Sequence, residues 1–241
     1  KDKYGGIIIK QLKTLGCSCD WDRERFTMDE DYTHAIMYAF VELYNEGLIY
    51  KGKRLVNWCP ASKSAISDEE VVHKEKNGKL WHLRYPISDE NDYIVVATTR
   101  PETMLGDTAI AVNPKDNRFK KYVGKTVTIP IVGRKIKIIK DNYADPEQGT
   151  GALKITPAHD FNDYDVGQRN KLEIINIFTE EGKINKNAPE DYFGLDRFEA
   201  RKKILEELKE KNFFVKEENI KNKVPYGDRS NSIIEPFLTE Q

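Results

Sequence analysis

The chain has 241 residues, with 39 Lys+Arg against 40 Asp+Glu and a formal net charge of -1. That balance excludes attachment to nucleic acid by bulk positive charge and leaves only a local basic face open. Hydrophobic residues make up 39%, and no apolar run approaches the ~20 residues of a membrane span, so no membrane partner is expected. The opening KDKYGGIIIK has neither an initiator Met nor the apolar core of a secretion signal. A cytoplasmic piece of a longer protein is the expectation. Cys17, Cys19 and Cys59 are an odd count without disulfide-framework spacing. With His34, His73, His82 and His159 they make no four-ligand zinc pattern, so no metal site is expected.

In chain order, the spacing first predicts a helix. Thr27-Met28-Asp29-Glu30 has the pattern of a capping box, Ile36, Phe40, Leu43 and Tyr44 follow at helical intervals, and Gly47 is a C-terminal stop. The period then changes. Leu55–Pro60 reads as a short strand into a turn, and Lys79–Ile87 and Tyr93–Thr99 read as strands around the polar turn Ser88–Asp92. Thr126–Ile131 and Lys135–Lys140 form a hairpin candidate through Val132-Gly133-Arg134. Ala152–Thr156 is another strand, ended by Pro157, and AHDFNDYDVGQRN is a helix opened by acidic residues. Leu172–Thr179 reads as a further strand. Asp196-Arg197-Phe198-Glu199 opens a second helix with Phe198, Leu205 and Leu208 on its apolar face.

The densest chemistry lies in Gly149–Asp163. Lys154 and Thr156 share one face of a strand, because side chains alternate with period two. Asp160 and Asp163 project from one side of the first turn of the helix behind it. A lysine, a hydroxyl, a histidine and two carboxylates converging at a strand-to-helix junction suit a small zwitterion, the carboxylate holding an ammonium. Either aspartate alone is accounted for as a helix cap; the whole cluster is not. A second group, Thr98-Thr99-Arg100-Pro101-Glu102-Thr103, ends a strand with hydroxyls beside an Arg, which suits a phosphate, a carboxylate or a ribose. Neither G-x-x-x-x-G-K-[ST] nor G-x-G-x-x-G is present, so no nucleotide-binding domain is indicated.

Thr98–Ala109 followed by Gly149–Asp163 resembles the editing insertion of class I valyl-tRNA synthetases. The flanking runs Leu15–Trp21, Leu55–Pro60, Asn187–Pro189, Gly194–Ala200 and Gly227–Ser230 extend the resemblance along nearly the whole chain. Two features depart from the family. Gln148 stands where the family commonly has Phe, and the H-I-G-H and K-M-S-K-S signatures of the synthetic site are absent from the sequence. The resemblance implies an α+β fold in which a β-barrel-like editing core with flanking helices is inserted into a larger synthetase through an extended connection. The expected division is a helical portion over 1–54, an outgoing connection over 55–78, the editing core over 79–223 and a returning connection over 224–241.

It also implies hydrolysis of threonyl-tRNA(Val), because a hydrophobic synthetic pocket rejects threonine poorly. In valyl-tRNA synthetases themselves that first selection is known to reach only about a hundredfold. By the same resemblance, Asp163 holds the substrate α-ammonium, Lys154, Thr156 and Asp160 recognise the threonine hydroxyl, and Arg100 and Thr99 position the terminal adenosine. Arg100 and Lys154 are also the expected local cations for a polyanionic acceptor end. No general base is assigned, and His159 is expected to be structural. The expected partners are the tRNA(Val) acceptor end, the threonine moiety and the remainder of the synthetase. No cofactor is expected in this fragment, ATP and magnesium belonging to the parent enzyme. The competing expectation is an insertion that positions the acceptor end without hydrolysing anything.

Overall fold

The computed structural model describes residues 4–241. They divide after Gly52 into two compact units. The first carries α1 (Gly5–Thr14), a 3-10 turn at Trp21–Arg23 and α2 (Glu30–Asn45). Thr27 does not form the predicted capping box. Asp29 takes the N-cap position, and its carboxylate accepts from the Phe26 N–H at 2.9 Å. Gly47 does stop α2: at φ +75 it lets its own N–H and that of Leu48 reach back to the Tyr44 and Leu43 carbonyls.

In the second unit, β1 (Lys53–Cys59) pairs antiparallel with β10 (Glu235–Glu240) on one side and with the two-residue β2 (Ser64–Ala65) on the other. A long ribbon pairs β3 (Val71–Pro86) with β9 (Phe214–Gly227), and β4 (Tyr93–Thr98) adds to the far edge of β3. Both ribbon strands run through positions 78–79 and 223–224 without a break. The third sheet has the order β6-β7-β5-β8, from β6 (Thr126–Thr128), β7 (Lys135–Lys140), β5 (Ala109–Val112) and β8 (Ala152–Ile155). Here β6 and β7 form the predicted hairpin, while β5 pairs parallel to β7 and antiparallel to β8.

The barrel-like core expected from the family is not closed: among the described residues the strands make separate sheets. The reason is visible at the edges. β4 ends one sheet and β8 ends another, and the residues of both line a cavity instead of pairing with each other.

β5 shows how the layers are held. All four of its residues are buried. Ile110 and Val112 enter the large core between the sheets, while Ala109 and Ala111 face a smaller cluster with Ile155 and Val166. Small side chains on that face let α3 (Phe161–Asn170) pack close. Gly167 tightens the fit, since a Cβ there would stand 2.8 Å from Pro157 Cγ.

Two further expectations are corrected. Leu172–Thr179 is not a strand; it makes a single bridge, Phe178 to Ile184. Side chains replace the ladder, with Asn185 and Asn187 amides donating to the Asn176 carbonyl and His159 accepting from the Ile177 N–H. In α4 (Arg197–Glu210) the buried apolar stripe is Ala200, Ile204 and Leu208; of the predicted face Leu208 is buried and Leu205 packs against the core, while Phe198 lies outside the stripe. Phe198 lies half-buried under the guanidinium groups of Arg197 and Arg201. We therefore expect Leu208→Ala to lower unfolding stability by about 2–5 kcal/mol and Phe198→Ala to cost clearly less, read from urea midpoints of the two variants.

Candidate active site

Thr99, Arg100, Lys154, Thr156, Asp160 and Asp163 all line one cavity of about 230 Å³. Thr98, Thr103, Tyr143, His159 and the apolar Leu80, Ala97 and Leu153 complete its wall. Lys154 and Thr156 reach it from the end of β8, as the two-residue alternation requires. Thr98 ends β4, and the buried 3-10 turn Pro101–Gly106 carries Thr103. Asp160 and Asp163 come from the start of α3.

Lys154 is buried, and its ammonium is fully engaged. It donates to Thr103 Oγ1 at 2.7 Å, Asp107 Oδ1 at 3.0 Å and Thr156 Oγ1 at 2.5 Å. The Thr156 hydroxyl donates to the same Asp107 oxygen at 2.6 Å, and the Tyr85 hydroxyl holds the other at 2.7 Å. Burial pushes the Asp107 carboxyl up, opposed by Lys154 and by these hydrogen bonds. Burial and the neighbouring carboxylate push the Tyr85 hydroxyl well up, so it stays a donor.

Asp163 accepts from the Thr156 backbone N–H at 2.9 Å. Its carboxyl is pushed up to about 7, first by burial and then by the neighbouring Asp160 charge. Asp160 is exposed and caps α3, one oxygen accepting from Asn162 N–H at 2.9 Å and Asp163 N–H at 3.1 Å. Its capping role is therefore real, and it also lines the cavity.

Arg100 sits between carboxylates. It donates to Glu235 and to the His159 carbonyl at 3.0 Å, with Glu102 at 3.4 Å from its Nε. Glu102, wholly buried, is held in turn by Arg201 through two bonds of 2.7 Å. Neither cation expected to meet phosphate is thus poised for it, since Lys154 has spent its donors and Arg100 is flanked by two acids. His159 is buried, its imidazole held well below its ordinary range by burial and by the Arg100 and Lys154 charges. It accepts at Nε2 from the Ile177 N–H at 3.0 Å and packs on Phe178, with ring centroids 4.5 Å apart.

A wider depression adjoins the cavity and shares Leu80, Ala97, Tyr143 and Leu153 with it. Gln148 and the Gly149–Gly151 turn line this second space. At Gly151 the backbone is left-handed, φ +79, and a Cβ would come 2.4 Å from Arg118 Nη2.

Asp107, Tyr143 and Glu235 were missed as site residues in the sequence. An Asp between Leu105-Gly106 and the buried strand Ala109–Val112 was the available signal, because an unpaired acid is not tolerated inside an apolar run. Tyr143 and Glu235 stand in turn and tail segments with no such pattern.

A family model for class I tRNA synthetases (I, L, M and V) matches residues 1–232. The chain belongs to that family. Over all 241 residues it is 72% identical to the valine–tRNA ligase of Pelagibacter ubique, covering 100% of this chain and 28% of that protein. It is 54% identical over 241 residues to the valine–tRNA ligase of Fusobacterium nucleatum, of which it covers 27%. Against the Thermotoga maritima enzyme the figure is 54% over 240 residues, again 28% of the relative's length. The chain thus spans little more than a quarter of the relatives it matches. A solved LeuRS–tRNA–LeuAMS ternary complex from Agrobacterium radiobacter K84 covers 89% of this chain and 35% of its own, at 19% identity and a TM-score of 0.47, too low to inform the fold.

The raised Asp163 carboxyl has a thermodynamic consequence. From its ordinary 3.8 up to about 7 the folded chain holds a proton there that the unfolded chain releases. The stability this contributes is full below the unfolded value and is lost as pH rises through about 7. Asp163→Asn removes the titration. Its melting temperature relative to the unsubstituted chain should therefore rise between about pH 5 and pH 8. A flat difference across that range would mean that Asp163 ionises normally.

Proposed function

We propose that this chain carries the hydrolytic editing site of a cytoplasmic valine–tRNA ligase, which removes threonine from mischarged tRNA(Val). The observation that carries the reading is the cavity itself. It sets a buried carboxylate, Asp163, beside a floor of threonine hydroxyls and a lysine whose charge is already matched. Such a space welcomes an ammonium group and a side-chain hydroxyl together and penalises a methyl in the hydroxyl's place. That the relatives are valine–tRNA ligases supports threonine as the substrate, since it is the near-isostere that a valine pocket rejects weakly.

In this reading the aminoacyl group enters the cavity with its ammonium on Asp163 and its hydroxyl toward Thr156 and Asp160. The terminal adenosine occupies the wider depression, beside Thr99 and the Gly149–Gly151 turn. Arg100 serves by holding the Thr99 corner against Glu235 and the His159 carbonyl. Water attacks the ester carbonyl, the C–O bond to the ribose breaks, and the freed ribose hydroxyl takes the proton. An activated ester asks mainly for an oriented water, and the vicinal ribose hydroxyl can relay the proton. The reaction needs no cofactor; ATP and magnesium serve the synthetic site carried elsewhere in the parent enzyme.

The test is deacylation of threonyl-tRNA(Val) by the chain, with valyl-tRNA(Val) alongside. Threonyl ester should be hydrolysed in preference, and binding without deacylation would favour a module that only positions the acceptor end. Asp163→Ala removes a charge-assisted contact of roughly 1.5–3 kcal/mol, so deacylation should fall at least about tenfold in a folded variant.

The ammonium is held best by the ionised carboxylate. Accordingly kcat/KM for the threonyl ester should rise with pH through about 7, the value to which Asp163 is pushed. A kcat/KM profile that is flat there would separate Asp163 from substrate binding.

A further inference from the structure

The floor of the cavity is built from side chains that have spent their hydrogens. Lys154 gives its three ammonium hydrogens to Thr103 Oγ1, Asp107 Oδ1 and Thr156 Oγ1. Thr156 gives its hydroxyl hydrogen to Asp107, and Thr103 gives its own to the Arg100 carbonyl at 2.9 Å. What this floor turns to a ligand is oxygen lone pairs on the two threonines, beside the carboxylate of Asp160 and, above about pH 7, that of Asp163.

One residue outside the cavity wall makes this so. Asp107 is wholly buried and lines neither the cavity nor the depression beside it. Its Oδ1 collects hydrogens from both Lys154 and Thr156, while Tyr85 fixes Oδ2. Without Asp107, one ammonium hydrogen and the Thr156 hydroxyl hydrogen would have no acceptor, and the cavity is the open space nearest to them.

We propose that Asp107 is a positioning residue that sets the hydrogen-bond polarity of the cavity floor, making it a surface of acceptors that selects amino-acid side chains able to donate. A side-chain hydroxyl donates to such a floor. A methyl group leaves an acceptor desolvated and unmet. This deepens the editing reading and rests on it for the ligand's identity, while the polarity of the floor is a property of the chain alone.

Two small amine probes, L-threoninamide and L-valinamide, test it by NMR titration of the chain and its variants. The unsubstituted chain should bind threoninamide at least about tenfold more tightly than valinamide. Asp107→Ala should bring the two affinities within about threefold of each other. Asp107→Asn, which keeps the size and one acceptor oxygen but loses the charge, should fall between and carries the test if the Ala variant does not fold. Tyr85→Phe removes a buried hydroxyl from the far oxygen only. It should lower the melting temperature while keeping most of the preference, which separates positioning from general loosening.

A folded Asp107→Asn chain with the full threoninamide preference overturns the proposal. So does an unsubstituted chain without any preference, even where it hydrolyses threonyl ester. Loss of the preference in Tyr85→Phe to the same extent as in Asp107→Ala also overturns it. An intact preference without ester hydrolysis would instead sink the editing reading and leave the role of Asp107 standing.

Discussion

A lysine ammonium and an aspartate carboxylate meet in this chain almost wholly withdrawn from water. Taking both charges out of water costs several kcal/mol per ion, and their attraction repays it only when the remaining donors and acceptors are met. Lys154 and Asp107 satisfy that condition through Thr103, Thr156 and Tyr85, and each of these comes from a different part of the fold. Tyr85 comes from β3, Thr103 from the turn after β4, Lys154 from β8 and Thr156 from its end, while Asp107 precedes β5. The pair therefore constrains register. β5 and β8 align Ile110 with Lys154 and Ala109 with Ile155. A slip of one residue would drive the ammonium into the alanine-lined cluster under α3.

A second ionic chain ties that floor to its surroundings. Arg201 holds Glu102, Glu102 lies against Arg100, Arg100 meets Glu235, and Glu235 meets Arg197. Both ends of this alternation lie on α4, and its middle is the arginine at the cavity wall. A helix outside the cavity wall thus fixes the corner where β4 turns into the 3-10 segment. Both cations at the cavity, Lys154 and Arg100, are thus matched by carboxylates inside the fold.

How much of this was legible follows from the range of each signal. Lys154 and Thr156 were placed on one face by strand alternation, and Asp160 and Asp163 at a helix start by local pattern; both are where the spacing put them. The partner of Lys154 was not legible, because Asp107 lies 47 positions away and no local rule joins the two. One residue of the apolar face of α4 was misplaced for a related reason. Phe198 satisfies helical spacing, but Arg197 and Arg201 cover its ring, so Ala200 and Ile204 join the predicted Leu208 in the core instead. Leu172–Thr179 has strand composition, yet asparagine and histidine side chains satisfy its backbone. Closure of the sheets into a barrel fails where β4 and β8 part around the cavity, a tertiary outcome that neither strand announces.

The pairing of β1 with β10 brings the two ends of the second unit together. Lys53 faces Glu240 across the ladder, so the way in and the way out lie side by side, about 5 Å apart at the spacing of paired strands. The clasp also gives mechanical independence. Tension applied through the two ends would load the β1–β10 hydrogen bonds one after another from the Lys53 end, opening the ladder like a zip before it strained the cavity.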